Sequence, residues 1–532
     1  MKHLFCLLMF LSTAVISAIP PQQSGFPFNV PNSFLVRTSP TNVADLDGDE
    51  FPEIIVGDAH GSVHAIKNNG SLYWQYDTGS AAIESKVVVA DLNLDGNPEV
   101  IVSAGSTHTP SGIGSVTVLN GQTGAEICRY TPPQFGSDPI GVYGSVAVAN
   151  LDKSDVELEI AFGDFGATVN VLNHDCSILW RSQQPPAVTQ IQLPPNYDET
   201  MPPFTVYVND TVGSSPAIAD INNDGQLDVI IGVSSHVDDN NLTIDGGRLL
   251  VINGHNGSLI FHVDTDEAIT SSPTIVDLDN DGSLDIIVGT GYCWQYEPCS
   301  PGNGTHNDGN QLYAWDSNGN NLPGWPFQLQ NIQGNNYAIT DNSPSVVDID
   351  GDGFLEVFIN AFLPIGNGPA FDGIVLAIEH NGDLKWSTIP QVPINQTDFI
   401  HPASRVTSPI IGDIDNDGQL DVVVPANFEP IVYHGTSGLQ ISTSSPNVGA
   451  NDLSMRTSFT ISSTLSLADI DKDGDFELIS AGSDPNASHP TTFNIWDLDT
   501  LVGGETKETS YRNNQHNTGV YVIDDVFKNG FE

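Results

Sequence analysis

Seven stretches of this chain place oxygen-bearing side chains at positions 1, 3, 5 and 9 of a nine-residue loop. The sets are Asp45, Asp47, Asp49 and Glu53; Asp91, Asn93, Asp95 and Glu99; Asp220, Asn222, Asp224 and Asp228; and Asp277, Asp279, Asp281 and Asp285. Three more follow: Asp348, Asp350, Asp352 and Glu356; Asp413, Asp415, Asp417 and Asp421; and Asp469, Asp471, Asp473 and Glu477. All-oxygen sets of this kind do hard-cation chemistry. Calcium takes six to eight oxygens at roughly 2.3–2.6 Å and tolerates irregular geometry. Alternate side chains converge on one centre when the chain curls, and a glycine at position 6, as at Gly225, Gly282, Gly353, Gly418 and Gly474, permits the left-handed backbone that a tight curl needs. Four acids held this close repel one another, and a divalent cation removes the conflict. The spacing therefore predicts about one calcium ion per intact loop.

Two rival readings weigh against this one. An EF-hand needs a bidentate Glu at position 12 and flanking helices; here position 12 is apolar, as in Ile231, Val288, Ile359 and Val424, and the flanks are short runs rich in Ile and Val. A bare Asp/Asn/Gly turn without a ligand explains one copy well, but not seven at one spacing. Two copies depart from the pattern. The first has Gly48 at position 4 and Glu50 in place of the glycine. A further copy runs from Asn150 through Asp152, Asp155 and Glu157 to Glu159; it lacks the position-5 ligand and has gained a residue, so its sheet is expected without its metal.

The loops need short paired strands to hold them. In the fourth unit, Pro216–Ala219 leads into the loop and Val229–Val233 leaves it. Arg248–Asn253 and Ser258–Val263 then flank a turn at Gly254–Gly257. Similar hairpins start at Ser62, Ser115, Leu312 and Val375, with Asn-Gly or Gly-rich turns between alternating apolar residues. Loops starting at 45, 91, 150, 220, 277, 348, 413 and 469 define units of 46–71 residues. A four-stranded antiparallel sheet of this size cannot bury both faces alone; radial packing of several does so. The fold class is all-β, an eight-bladed β-propeller, with seven blades as the alternative. The eighth unit has strands near Thr464–Leu467, Leu478–Ala481 and Thr492–Trp496 but no fourth. Gly25-Phe26-Pro27-Phe28 matches Gly324-Trp325-Pro326-Phe327, which ends unit five, so residues 25–37 are expected to complete the last blade. The competing donor is Tyr511–Val522.

The chain has 532 residues, 39% of them hydrophobic, with a net charge of −51, and 26 of its 66 acidic residues are loop ligands. Lys and Arg total 15 and form no patch, which argues against a nucleic-acid partner. Residues 1–18 read as a secretory signal: Lys2 and His3 precede the apolar Leu4–Ile16, with small residues Ser17 and Ala18 at the cleavage point. No later run is long and apolar enough for a helical span. The expected layout is a signal over 1–18, a propeller over 19–510 and a C-terminal strand and tail over 511–532, in a monomeric protein that is secreted or periplasmic. Export permits disulfides. Cys293 and Cys299, six apart, are expected to staple one loop; Cys128 and Cys176 fall in equivalent hairpins of neighbouring units, which leaves a second pairing open. No His or Cys pair shows zinc spacing.

The loops resemble the calcium loops of FG-GAP (VCBS-type) repeats, the repeats of the integrin α-subunit propeller. The lead-ins at Ser214, Ser271, Asn342 and Thr407 resemble those of bacterial secreted members, and the likeness spans about residues 38–500. The closing Asp525–Glu532 looks like a short tail of some exported bacterial proteins. The resemblance implies the propeller and its metal. It leaves the role open between adhesion, sugar binding and catalysis.

Strand parity assigns the faces. Metal loops and hairpins between strands three and four open on one side. The long connections, 181–212, 234–246, 290–309, 361–372 and 387–407, open on the other. That opposite face is where integrin-type FG-GAP propellers present their ligand surface. An extracellular protein or glycan is expected there, with Tyr292, Trp294 and Tyr296 placed to stack on it. The functional expectation is a non-catalytic recognition or adhesion module, without catalytic or organic-cofactor residues. The alternative is a lyase-type polysaccharide-degrading enzyme on the same scaffold. It would need a base and a neutraliser in one pocket, yet the loop histidines His306, His401, His434 and His516 share no spacing. A quinone-cofactor dehydrogenase, another eight-bladed form, is disfavoured because only Trp74, Trp180 and Trp386 hold comparable strand-four positions.

Overall fold

The second strand of each unit is apolar at nearly every position because both of its faces meet another sheet. In a computed structural model, Glu53–Gly57, Glu99–Ala104 and Glu356–Phe362 are buried along their whole length. The structure describes residues 20–501 except 30–38, 80–81, 106–113, 134–140, 155, 166–167, 183–211, 238–243, 266, 292–309, 338, 340–341, 363–372, 391–406, 427, 443–454, 456, 458–459, 462 and 484–490. Among the described residues no helix is long and apolar enough to cross a membrane.

Eight antiparallel sheets follow the chain in order. Blade one is Asn42–Ala44, Glu53–Gly57, Ser62–Ile66 and Leu72–Asp77, each strand paired with the next. Blades two to six repeat this order. In blade seven the fourth strand shrinks to a bridge between Tyr433 and Gln440. Blade eight has Ser466–Ala468, Asp475–Ser483 and Thr492–Leu501, and its outer strand is the N-terminal Phe28–Asn29, paired Phe28 to Phe493 and Asn29 to Thr492. The chain therefore closes its ring as the GFPF match implies, over residues 28–29 of the expected 25–37. The rival donor at 511–522 and the terminal tail lie outside the described residues, as does the signal at 1–18.

Alternate residues face opposite neighbours, so the core is eight layers between blades. Val100 and Val102 pack toward blade one, and Ile101 between them packs toward blade three. The eighth layer joins Ile54, Val56 and Ile66 of blade one to Ile479, Phe493 and Ile495 of blade eight. The circle is thus complete with eight blades, and the seven-bladed alternative falls. Hydroxyls tie the inner strands together at their starts: the Ser145 amide donates to Ser215 Oγ, Ser215 to Ser272 Oγ, Ser343 to Ser408 Oγ and Ser408 to Thr464 Oγ1, at 2.8–3.0 Å.

One interlock recurs between blades in different chemistry. Trp74, Trp180 and Trp386 donate from Nε1 to the carbonyls of Gly121, Gly254 and Gly435 in the next blade's hairpin, at 2.6–2.7 Å. Each indole covers a left-handed glycine, Gly124, Gly257 or Gly438, where an added Cβ would lie 2.6–2.8 Å from the ring. Between blades two and three the same contact is the Cys128–Cys176 disulfide, with Cα atoms 5.9 Å apart. Cys176, at φ +66°, occupies the left-handed hairpin position. Spacing in sequence left this pairing open; the shared interlock explains it. Cys293 and Cys299 lie outside the described residues.

Two expectations change. The polar stretch at 234–246 of unit four is largely strand: Asp228–Val237 and Ile244–Asn253 form one long ladder that pairs Val237 with Ile244. Backbone hydrogen bonds carry a ladder where side chains give no apolar signal. Strand two of unit eight likewise starts earlier than read, at Asp475, and strand three runs on to Leu501.

Candidate metal centres

Every intact loop is wired by its own backbone. In blades two and four to seven the position-1 carboxylate accepts two amides: Asp220 Oδ1 from Asp224 and Oδ2 from Gly225, at 3.0 and 2.8 Å, and Asp91, Asp277, Asp348 and Asp413 do the same, whereas Asp469 Oδ1 in blade eight is buried and meets no donor. The position-5 carboxylate accepts the amide of position 7, as Asp224 does from Gln226 and Asp417 from Gln419 at 2.8 Å. The position-9 group reaches back to the amide of position 2: Ile221 to Asp228, Leu278 to Asp285, Ile349 to Glu356, Ile414 to Asp421 and Ile470 to Glu477. This last contact anchors the loop, because the apolar position-2 residue is buried. Glu159 makes it too, to Leu151, so the irregular third loop keeps its frame; Asp155 lies outside the described residues.

The curl uses two left-handed residues. Position 6 is left-handed as expected, and Glu50 adopts φ +76° there without a glycine while its amide still reaches Asp45 Oδ2. Position 4 is left-handed too, as in Asn223, Asn280, Gly351 and Asn416. The signal was present where that position is Asn or Gly, the residues that enter this region most readily, and absent at Leu94 and Lys472, which adopt it too.

This wiring brings the predicted ligands together. Asp45 with Asp47 and Glu53, Asp277 with Asp279 and Asp285, Asp348 with Asp350 and Glu356, Asp413 with Asp415 and Asp421, and Asp469 with Asp471 and Glu477 each place carboxylate oxygens within 4.8 Å of one another. These sets could each hold a metal ion. Three position-9 groups, Asp228, Asp421 and Glu477, are fully buried with one oxygen that meets no hydrogen-bond donor. A buried acceptor left in this state is costly, and a hard cation is the partner the donor set fits.

The electrostatics agree. Burial, reinforced by neighbouring carboxylates, pushes Glu99, Asp228 and Asp285 up to about 7 and Asp421 and Glu477 up to about 8. Burial also raises Glu356 to about 7 and Glu53 above its ordinary value. At position 3 the loops diverge. Burial and neighbouring acids raise Asp279 and Asp415, whereas hydrogen bonds from Lys67 and Lys385 lower Asp47 and Asp350.

The hairpins between strands three and four share this face, as parity requires. Gln122 donates to Asn97 at 3.1 Å, Phe354 stacks on His380 at 4.2 Å, and His434 Nε2 lies 3.4 Å from Asp417 Oδ2. His434 thus belongs to the seventh cage. His306, His401 and His516 lie outside the described residues, as do Tyr292, Trp294 and Tyr296 and most of the long connections.

The FG-GAP-like repeat family matches residues 45–102 and 220–288, which run from the loops of blades one and four through their strands two to four and on into the first strand, loop and second strand of blades two and five. The chain is a propeller of FG-GAP-like repeats. No curated protein matches it by sequence. Among solved structures, this FG-GAP propeller is similar to the Vibrio cholerae biofilm matrix protein Bap1, at 12% identity and TM-score 0.57, over 94% of this chain and 96% of that one. It is similar to the quinohemoprotein alcohol dehydrogenase of Comamonas testosteroni, at 14% identity and TM-score 0.55, over 91% and 77%. The exotype rhamnogalacturonan lyase YesX matches at 15% identity and TM-score 0.50, over 91% and 76%. At these identities the likeness shows the fold alone. A biofilm matrix protein, an alcohol dehydrogenase and a lyase on one architecture leave function to the FG-GAP propeller's own side chains.

Proposed function

We propose that this chain is an extracellular, non-catalytic recognition propeller, held rigid by calcium, whose partner is a protein or glycan docked on the face opposite the metal loops. One observation carries the reading. Carboxyl groups pushed to about 7 or 8, Glu99, Asp228, Asp285, Glu356, Asp421, Asp475 and Glu477, lie in the repeated loops of six blades, while outside the loops burial raises Asp164 in blade three. A catalytic centre gathers its displaced groups in one place. Here they are distributed around a ring, which is what a structural cation needs. Residues at positions 1, 3, 5 and 9 would hold each ion. The ion would supply charge neutralisation and a fixed link between the loop and the start of strand two. The rest of the chain positions these groups: the position-2 side chains anchor in the blade layers, and the interlocks keep neighbouring loops in register.

The placement outside the cell is supported by the signal-like N-terminus, by the disulfide between blades two and three, and by the likeness to a biofilm matrix protein. The test is a glycan array and a pull-down against extracellular polymers, run beside an assay for release of unsaturated uronates. Calcium-dependent retention without cleavage supports the proposal; depolymerisation of any polymer reverses it in favour of a lyase.

A further inference from the structure

Two of the seven cages already contain a cation. In blade one, Lys67 Nζ lies 2.8 Å from Asp47 Oδ2, 3.7 Å from Glu53 Oε1 and 3.8 Å from Asp49 Oδ2. Those are the position-3, position-9 and position-5 groups of the loop. Lys67 also lies 4.5 Å over the Tyr73 ring, which fixes its course into the cage. In blade six, Lys385 Nζ lies 2.7 Å from Asp350 Oδ2, 3.2 Å from Glu356 Oε1 and 3.1 Å from Glu379 Oε1. The two lysines come from different places in the blade. Lys67 follows strand three and Lys385 lies within strand four, Leu384–Thr388. Different elements thus deliver an ammonium to the same oxygens.

The contrast with the other cages is local. In blades four, seven and eight one position-9 oxygen, Asp228 Oδ1, Asp421 Oδ1 or Glu477 Oε1, is buried and meets no donor. In blade six the corresponding Glu356 Oε1 meets Lys385. The residue level with position 9 across strands two and three, Lys67 in blade one, is Asn120 in blade two, Asn253 in blade four, Asp316 in blade five, Glu379 in blade six, His434 in blade seven and Asp497 in blade eight. None carries a permanent positive charge. A lysine ammonium within about 4 Å of three carboxylates neutralises part of the charge that would draw a divalent ion, and it repels that ion at the same distance.

We propose that the cages form two classes: those of blades two, four, five, seven and eight take a divalent cation, and those of blades one and six are closed by Lys67 and Lys385 instead. This rests on the calcium reading above. It predicts a ring whose blades one and six keep their loop geometry when calcium is withdrawn, while the other five depend on it.

The test counts bound calcium per chain on the full-length protein, by equilibrium dialysis against micromolar calcium followed by elemental analysis. Wild type is expected to hold five ions, Lys67→Met and Lys385→Met six each, and the double variant seven. A second measurement guards against misfolding: in chelator, Lys385→Met is expected to lower the melting midpoint, and calcium is expected to restore it, because the ion then replaces the lost ammonium. Seven ions in wild type, or a count that the substitutions leave at five, overturns the assignment of the lysines. No bound calcium in any variant overturns the calcium reading itself, a different failure.

Discussion

Replacing Asp421 by Asn is expected to stabilise the metal-free protein and destabilise the calcium-loaded one. Asp421 is fully buried, one oxygen accepts the Ile414 amide at 3.0 Å, and the other meets no donor. Burial, with Asp415, Asp417 and Asp413 nearby, raises its carboxyl to about 8. The ordinary value is about 4, so without metal the folded chain binds more protons here than the unfolded one. The strain from this group grows as pH rises from about 4 to 8, reaching on the order of 3–5 kcal/mol at pH 8. Asparagine keeps the oxygen for Ile414, fits the same space and turns a donor toward Asp413 and Asp415. It therefore relieves about 3 kcal/mol in chelator at pH 8, or about +3 °C in melting midpoint for a chain of this length. In calcium the variant forfeits one site, worth about 4 kcal/mol at 1,000 times the dissociation constant, and melts about 4 °C below wild type. Differential scanning calorimetry in chelator and in calcium reads both. A shift of the same sign in both conditions would show that Asp421 merely caps a turn, and the cage argument would fail at this blade.

Further outcomes follow from the same geometry. In chelator the melting midpoint of wild type should fall between pH 5 and pH 8, because the position-9 carboxyls are raised in the folded state; calcium should abolish or invert that slope, since binding needs the deprotonated groups. Gly438→Ala should lower stability by about 2–4 kcal/mol in urea titrations, because φ is +66° and the new Cβ would lie 2.6 Å from the Trp386 ring. A neutral effect would mean that the interlock between blades six and seven is loose. Cys128→Ser with Cys176→Ser should lower stability by roughly 4 kcal/mol, the value expected for a bridge across 48 residues, and reductant should reproduce the effect in wild type but not in the variant.

Much of this fold was legible because one pattern dictates both loop and strand. The position-1, 3, 5 and 9 oxygens mark the tip, and the Ile- and Val-rich runs beside it have no polar face, so they had to lie between sheets. The closing strand was legible for a related reason: Gly25 and Gly324 each press on the next blade's hairpin, where a Cβ would lie within 2.1 Å of the Asn69 or Asn381 carbonyl oxygen, so both copies keep the glycine. Other features left no such trace. The ladder beyond the Ser234–Gly247 pair runs through a stretch whose sequence shows no apolar alternation. The reach of position 9 to the position-2 amide depends on the curl, which spacing implies but does not describe. Lys67 and Lys385 lie 14 and 29 residues beyond the Glu53 and Glu356 of their cages. Only the folded hairpin returns them to the loop.

The measurement that bears most directly on the central claim is the melting midpoint of the intact protein in chelator, in millimolar magnesium and in millimolar calcium. Several cages, each adding about 4 kcal/mol when saturated, should raise the midpoint by about 10 °C or more in calcium. Magnesium, which demands a tighter octahedron and keeps its waters, should raise it much less. Identical midpoints in all three buffers would contradict the account, because loops that gain nothing from a divalent ion are ordinary turns.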